Sequence, residues 1–193
     1  MFCDLEVGKI GRKGFYSLLN RNVESHVEGY WSKQLGHTFT TSYWLTAFNA
    51  TVETRLHILH WKILMRIYPT SVLLFKMKIK QSEECATCRV KDTLQHFFYH
   101  CASVQDVWGK VKNYFNLITG KQFSLTWDQV ILGVLPSEHI RPKIVNKLNM
   151  LILLAKLAIS KSKYDTGIKP SLIFENELSF RQIDVSSDFI PLY

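Results

Sequence analysis

Four residues at fixed spacing constrain this chain more than anything else in it. Cys85 and Cys88 are followed by His96 and Cys101, in the pattern C-x2-C-x7-H-x4-C. Two cysteines three apart in a tight turn can present both sulfurs to one ion. A His and a Cys five apart, at a helix end or helix-to-loop junction, can close a tetrahedron from the other side. Three thiolates and one neutral imidazole around Zn²⁺ leave one net negative charge, which the nearby Arg89 and Lys91 would offset. All four positions are filled by protein atoms, so none is left for water. The spacing therefore predicts a structural site for one zinc ion, not a catalytic one. His100 competes with His96 as the fourth ligand, but its position next to Cys101 would need awkward backbone geometry, and His96 is preferred. The bland reading, thiols buried in a helical core, suits a lone C-x2-C. It suits a third Cys and a His within seventeen residues less well. Cys3 lies far off and reads as a free thiol. A redox pair is disfavoured because no βαβ pattern surrounds Cys85 and Cys88.

The remaining composition sets limits on what surrounds this cluster. The chain has 193 residues, 47% of them hydrophobic and 13% aromatic, enough for one domain's core and too apolar for wholesale disorder. Four cysteines are too few for a disulfide-built scaffold. The most apolar stretch, Leu148 to Ile159, is interrupted by Asn149 and Lys156. It is far shorter than the roughly 20 residues of a membrane span, so it predicts a buried helix and no membrane partner. The first fifteen residues lack the apolar core of a secretory signal. The expected setting is intracellular, in nucleus or cytoplasm.

Apolar residues recur at helical spacing along most of the chain, and few stretches alternate with period two. The expected fold is mainly α: an irregular helical domain with an embedded CCHC zinc-binding loop. Expected helices are Val27 to Leu35, and Glu53 to Ile67 stopped by Pro69. A short one from Ser71 to Met77 is capped by Thr70. Another, capped by Thr93, contains Leu94, Phe97 and Phe98. The pattern Val104, Val107, Trp108, Val111, Tyr114, Phe115 is the cleanest amphipathic helix, with Asn116 to Gln122 as the loop after it. Thr126 and Gln129 form a capping-box pair ahead of Val130 to Val134, a helix ended by Pro136. A long helix runs from about Ile140 to Lys163, closed by Gly167 and Pro170, and Leu172 to Ile183 is the last. The expected organisation is a lead-in over 1–50, a zinc-binding domain over 51–116, a helical segment over 117–183 and a tail over 184–193.

Charge is distributed unevenly around a net of +8. Between Arg55 and Ser82 there are six bases, Arg55, Lys62, Arg66, Lys76, Lys78 and Lys80, and no acid. Arg55, Lys62 and Arg66, at i, i+7 and i+11, share one helix face. A second acid-poor stretch runs from His139 to Lys169, and the tail is acidic. An ordinary solvated helix face is the common reading of such a run. Beside a knuckle-like cluster, a phosphate-contacting surface for RNA or DNA becomes at least as good a reading. Aromatics can stack on bases, but Trp61, Trp108 and Phe97 fall on apolar stripes and are expected in the core. No phosphate-binding loop, dinucleotide fingerprint, nucleophile elbow, H-E-x-x-H or tight acidic cluster is present. The histidines outside the cluster, His26, His37, His57, His60 and His139, lack an evident nucleophile or acid partner. An independent enzyme is not expected.

The run from His60 through Thr70, then Leu73 to Met77 and Ile79, Cys85 and Cys88, Thr93 to Phe98, Cys101 and Trp108 resembles the zinc-binding region of LINE-type (non-LTR) retrotransposon reverse transcriptases. Trp31 to Gly36 and Trp44 resemble its lead-in, and Asn149 to Ile159 with Lys161 and Ile173 to Glu175 its helical end. The resemblance implies that Cys85, Cys88, His96 and Cys101 are zinc ligands. It also implies contact with template RNA or target DNA beside a polymerase domain that this sequence lacks. The polymerase's paired aspartates and the endonuclease are absent too. The expectation is a non-catalytic, sequence-nonspecific nucleic-acid-binding module, a detached C-terminal piece of such an enzyme. The alternative is a structural or protein-interaction remnant, or a truncated pseudogene product, that binds no nucleic acid.

Overall fold

A computed structural model describes residues 27–36, 38, 41–135, 140–164 and 167–183. Cys3, Pro136 and the tail over 184–193 lie outside the described residues, as do His26, His37 and His139. The chain divides into two compact units, Met1–Thr40 and Thr41–Tyr193. In the first, residues 27–35 form the expected helix, α1. Val27 and Trp31 are buried, and Tyr30 packs edge-on against Trp31 at 5.2 Å.

The second unit contains α2 (Thr41–Phe48), α3 (Thr54–Leu64), α4 (Ser71–Lys76), α5 (Gln105–Thr119), α6 (Trp127–Leu132), α7 (Pro142–Tyr164) and α8 (Pro170–Phe180). No strand occurs among the described residues. The axis of the unit is α7. Every residue from Leu151 to Ile159 is buried, which is how a helix that is apolar on all sides must sit. Helices α2, α3, α5 and α8 pack around it. The two polar residues of its apolar stretch are satisfied within the core. The Asn149 side chain accepts from Val134 N at 2.6 Å and donates to Val134 O at 3.0 Å. This clamp presses on Gly133, whose φ of +89° and whose missing Cβ, which would lie 2.6 Å from Asn149 Oδ1, admit glycine alone.

Local capping follows the sequence closely in places. The Thr70 hydroxyl accepts from Leu73 N at 3.4 Å, and Thr126 with Gln129 closes a capping box. Elsewhere the ends differ from expectation. Helix α3 stops at Leu64, well before Pro69. Arg66 adopts φ +61°, and Arg66 N and Ile67 N bond back to Ile63 O and Lys62 O, both at 3.0 Å. That is a Schellman motif with arginine where glycine is usual. Lys78 (φ +59°) closes α4 in the same way, through Lys78 N to Phe75 O and Ile79 N to Leu74 O, both at 2.9 Å. Helix α5 runs on to Thr119, and Gly120 (φ +65°) caps it. Pro170, expected to end α7's segment, is instead the first residue of α8.

A candidate metal centre and the basic surface beside it

The chain reaches the cluster through a narrow hairpin. Glu84 pairs antiparallel with Lys91, and Asp92 N bonds to Glu83 O at 2.9 Å. At its tip Cys85 N donates to Val90 O at 2.8 Å and Arg89 N to Cys85 O at 2.9 Å, with Arg89 at φ +58°. This left-handed turn brings Cys85 and Cys88 to the same side. Thr93 then caps the next turn, its hydroxyl accepting from His96 N at 3.1 Å. The helix widens at once into a π turn over His96–His100, closed by Cys101 N to His96 O at 2.8 Å. The extra residue per turn sets His96 and Cys101 against the cysteine hairpin and leaves His100 exposed.

The ligand atoms of Cys85, Cys88, His96 and Cys101 lie within 4.8 Å of one another. Cys101 Sγ is 3.7 Å from both Cys85 Sγ and Cys88 Sγ. Sulfurs at about 2.3 Å from a tetrahedral zinc stand about 3.8 Å apart, so the cluster has the size the ion needs. His96 Nε2 is buried and makes no hydrogen bond. A soft donor set at this spacing, with a buried imidazole nitrogen lacking any partner, fits Zn²⁺.

The surroundings favour thiolates at two of the three cysteines. Burial pushes the Cys85 thiol up, but the Cys88 backbone, the neighbouring His96, the Thr87 backbone and the Lys163 charge bring it below its usual value. Burial acts likewise on Cys101, and Ser103 and Lys163 outweigh it. At Cys88 the hydrogen bond from Ala102 N is outweighed by burial and the neighbouring sulfurs, and the thiol is raised. The cation at the sulfurs is not one of those expected. Lys91 pairs with Glu83 at 2.8 Å, while Lys163, from the end of α7, lies 3.4 Å from Cys101 Sγ and 3.9 Å from Cys85 Sγ. Phe97 carries the same ammonium 5.1 Å from its ring centre. Nothing near Cys101 in the sequence announces a partner sixty-two residues away.

The six bases between residues 55 and 82 are all exposed, but they are not one helix row. Arg55 and Lys62 share the outer face of α3, whereas Arg66 sits beyond the helix end in its left-handed cap. Arg55 also leans toward acids, 3.4 Å from Glu177 and 3.8 Å from Glu53. Lys80 donates to Ser71 Oγ at 3.1 Å, and that hydroxyl bonds to the buried Asp92 at 2.8 Å. Lys62, Lys76 and Lys78 form no ion pair among the described residues. Phe97 and Trp108 are core residues as expected, but Trp61 is not: it is 44% exposed. The buried arc of α3 runs through Leu56, Leu59, His60, Ile63 and Leu64, and Trp61 lies across the helix from its centre, on the side of Ile58 and Lys62.

Among the described residues, no helix is long and apolar enough to cross a membrane. Residues 26–108 match the family described as zinc-binding in reverse transcriptase. The match spans the acid-free basic stretch and all four cluster residues. No curated protein and no solved structure matches the chain.

Proposed function

We propose that this chain, whose residues 26–108 match the family described as zinc-binding in reverse transcriptase, is a zinc-stabilised, non-catalytic module that binds single-stranded RNA or DNA. Zinc held by Cys85, Cys88, His96 and Cys101 fixes the hairpin to the π turn, and the flanking basic surface grips phosphates. The observation that carries this reading is the exposure of all six bases between residues 55 and 82, with no acid among them. Arg55, Lys62, Arg66, Lys76, Lys78 and Lys80 contact phosphates without reading sequence. Of these, Lys62, Lys76 and Lys78 carry most of the contact, since Arg55 shares its charge with Glu177 and Lys80 is tied to Ser71.

Trp61 supports a single strand over a duplex. An indole exposed beside Lys62 offers a stacking face, and only an unpaired base can lie on it. Phe75, also 44% exposed and next to Lys76, extends the same chemistry. A polymerase domain of the parent enzyme is a further partner in this reading.

The test is binding of the zinc-loaded chain to single-stranded RNA, single-stranded DNA and duplex across a salt series. The reading expects log affinity for single strands to fall linearly with log salt, with a slope of about −0.7 per phosphate contacted. Affinity indifferent to salt would sink it. The second reading, a protein-interaction remnant, gains nothing from Leu148 to Ile159, a run that is buried within its own unit. What favours it now is the exposure of Met77 and Ile79. Self-association without nucleic-acid binding is the outcome it expects.

A further inference from the structure

Four polar side chains stand along α7 at positions 149, 156, 160 and 163. Steps of seven, four and three keep them on one stripe of the helix. Each meets a different piece of the chain. Asn149 clamps Val134 after α6. Lys156 Nζ donates to His60 Nδ1 of α3 at 3.1 Å and to Ile131 O of α6 at 3.2 Å. Ser160 Oγ accepts from Tyr68, in the linker after α3, at 2.8 Å. Lys163 reaches the sulfurs of the cluster. Three of these four contacts join α7 to the segment 26–108, yet α7 itself lies wholly outside it.

We propose that Lys163 is a constituent of the metal centre. Its ammonium donates to the Cys101 thiolate and supplies the positive charge that three thiolates, one imidazole and Zn²⁺ lack. The C-terminal helix α7 therefore sets the zinc affinity of a loop that precedes it by more than forty residues. This rests on the zinc reading above. Three features make the assignment specific to Lys163. It approaches two of the three sulfurs at once. Its ammonium is held over the Phe97 ring rather than free in solvent. Lys91, the base of the hairpin arm, is committed to Glu83. A cation hydrogen-bonded to a ligating sulfur stabilises the thiolate and is an outer-shell partner of the metal. A segment cut at Trp108 would keep every ligand and lose this charge.

The experiment measures zinc affinity of the full chain by competition with a chromophoric chelator, for wild type, Lys163→Met, Lys163→Arg and Lys169→Met. Lys169 lies near the same end of α7 but touches no sulfur, so it controls for net charge. The expected result is affinity lower by about tenfold or more in Lys163→Met. Lys163→Arg should recover most of that loss, and Lys169→Met should match wild type. Helicity by circular dichroism should be the same in all four, because residue 163 is only half-buried. Equal affinity in Lys163→Met and wild type, or Lys163→Arg as weak as Lys163→Met, would overturn the inference while leaving the zinc site intact. Failure of the wild type itself to take up zinc would instead overturn the underlying zinc reading.

Discussion

The two acid-poor basic stretches look alike in sequence, but only the second, whose Arg141, Lys143 and Lys169 are exposed, also sends bases inward. The bases of 55–82 all face solvent. In 139–169, Lys156 is fully buried, Lys161 pairs with Glu177, and Lys163 lies on the cysteine sulfurs. The difference follows from the helices that carry them. Helix α3 is apolar on one arc, so its bases have an outer face to occupy. Helix α7 is covered on every side through its middle turns, so a base there must find a partner or lose its charge. A run of like charge is thus a surface only where the host helix has a free side.

That contrast can be broken first at the cluster itself. Cys88→Ser removes one of the four cluster residues, and the expected result is loss of bound zinc together with the ordered hairpin over residues 83–92. Metal analysis should fall from about one zinc per chain to near none. Next in size is the core clamp beneath α7. Gly133→Ala places a methyl group where Asn149 Oδ1 would be 2.6 Å away, at a φ that only glycine tolerates. Denaturant unfolding should show a loss of about 3 kcal/mol.

The buried lysine gives the contrast a pH signature. Burial pushes Lys156 down to about 7, from 10.5 in the unfolded chain. His60, buried with it, is held well below its usual value by desolvation and then by the Lys156 charge, so it stays neutral and accepts through Nδ1. Between those two pH values the unfolded chain binds a proton that the folded chain does not. Stability should therefore rise as pH climbs from about 7 towards 10.5, by up to about 1.4 kcal/mol per unit, and this contribution should be level below pH 7. Lys156→Met should flatten that rise. A rise of equal slope in wild type and variant would show that Lys156 is not its source.

The exposed stretch is expected to behave in the reverse sense. Arg66 and Lys78 occupy left-handed caps that glycine fills at lower cost. Lys78→Gly should raise stability by about 0.5–1 kcal/mol and still weaken nucleic-acid binding. Stability and binding that fall together would mean this base serves the fold.

The cluster of Cys85, Cys88, His96 and Cys101 was legible because its geometry is local: seventeen residues contain all four, and the hairpin and π turn are short-range structures. The caps at Thr70 and Thr126 were legible for the same reason, since each needs only the three residues after it. Trp61 was not. Its stripe on α3 is wide enough to be buried along either edge, and the packing against α7 decides which. The end of α3 was missed because an arginine in a left-handed cap carries none of glycine's signal. Lys163 was missed because sequence separation hides a contact that only the docking of α7 creates. His60 and Lys156 could each be seen as polar residues in apolar company, but not that they answer one another across ninety-six positions.

The most direct test is the affinity of the zinc-loaded chain for a single-stranded oligonucleotide after Lys62, Lys76 and Lys78 are all changed to alanine. None of the three forms an ion pair among the described residues, so the fold should be untouched and the melting temperature unchanged. The account predicts at least a tenfold loss of affinity at fixed salt and a shallower salt slope, by up to about two units for three lost phosphate contacts. Undiminished affinity with an unaltered slope would contradict it.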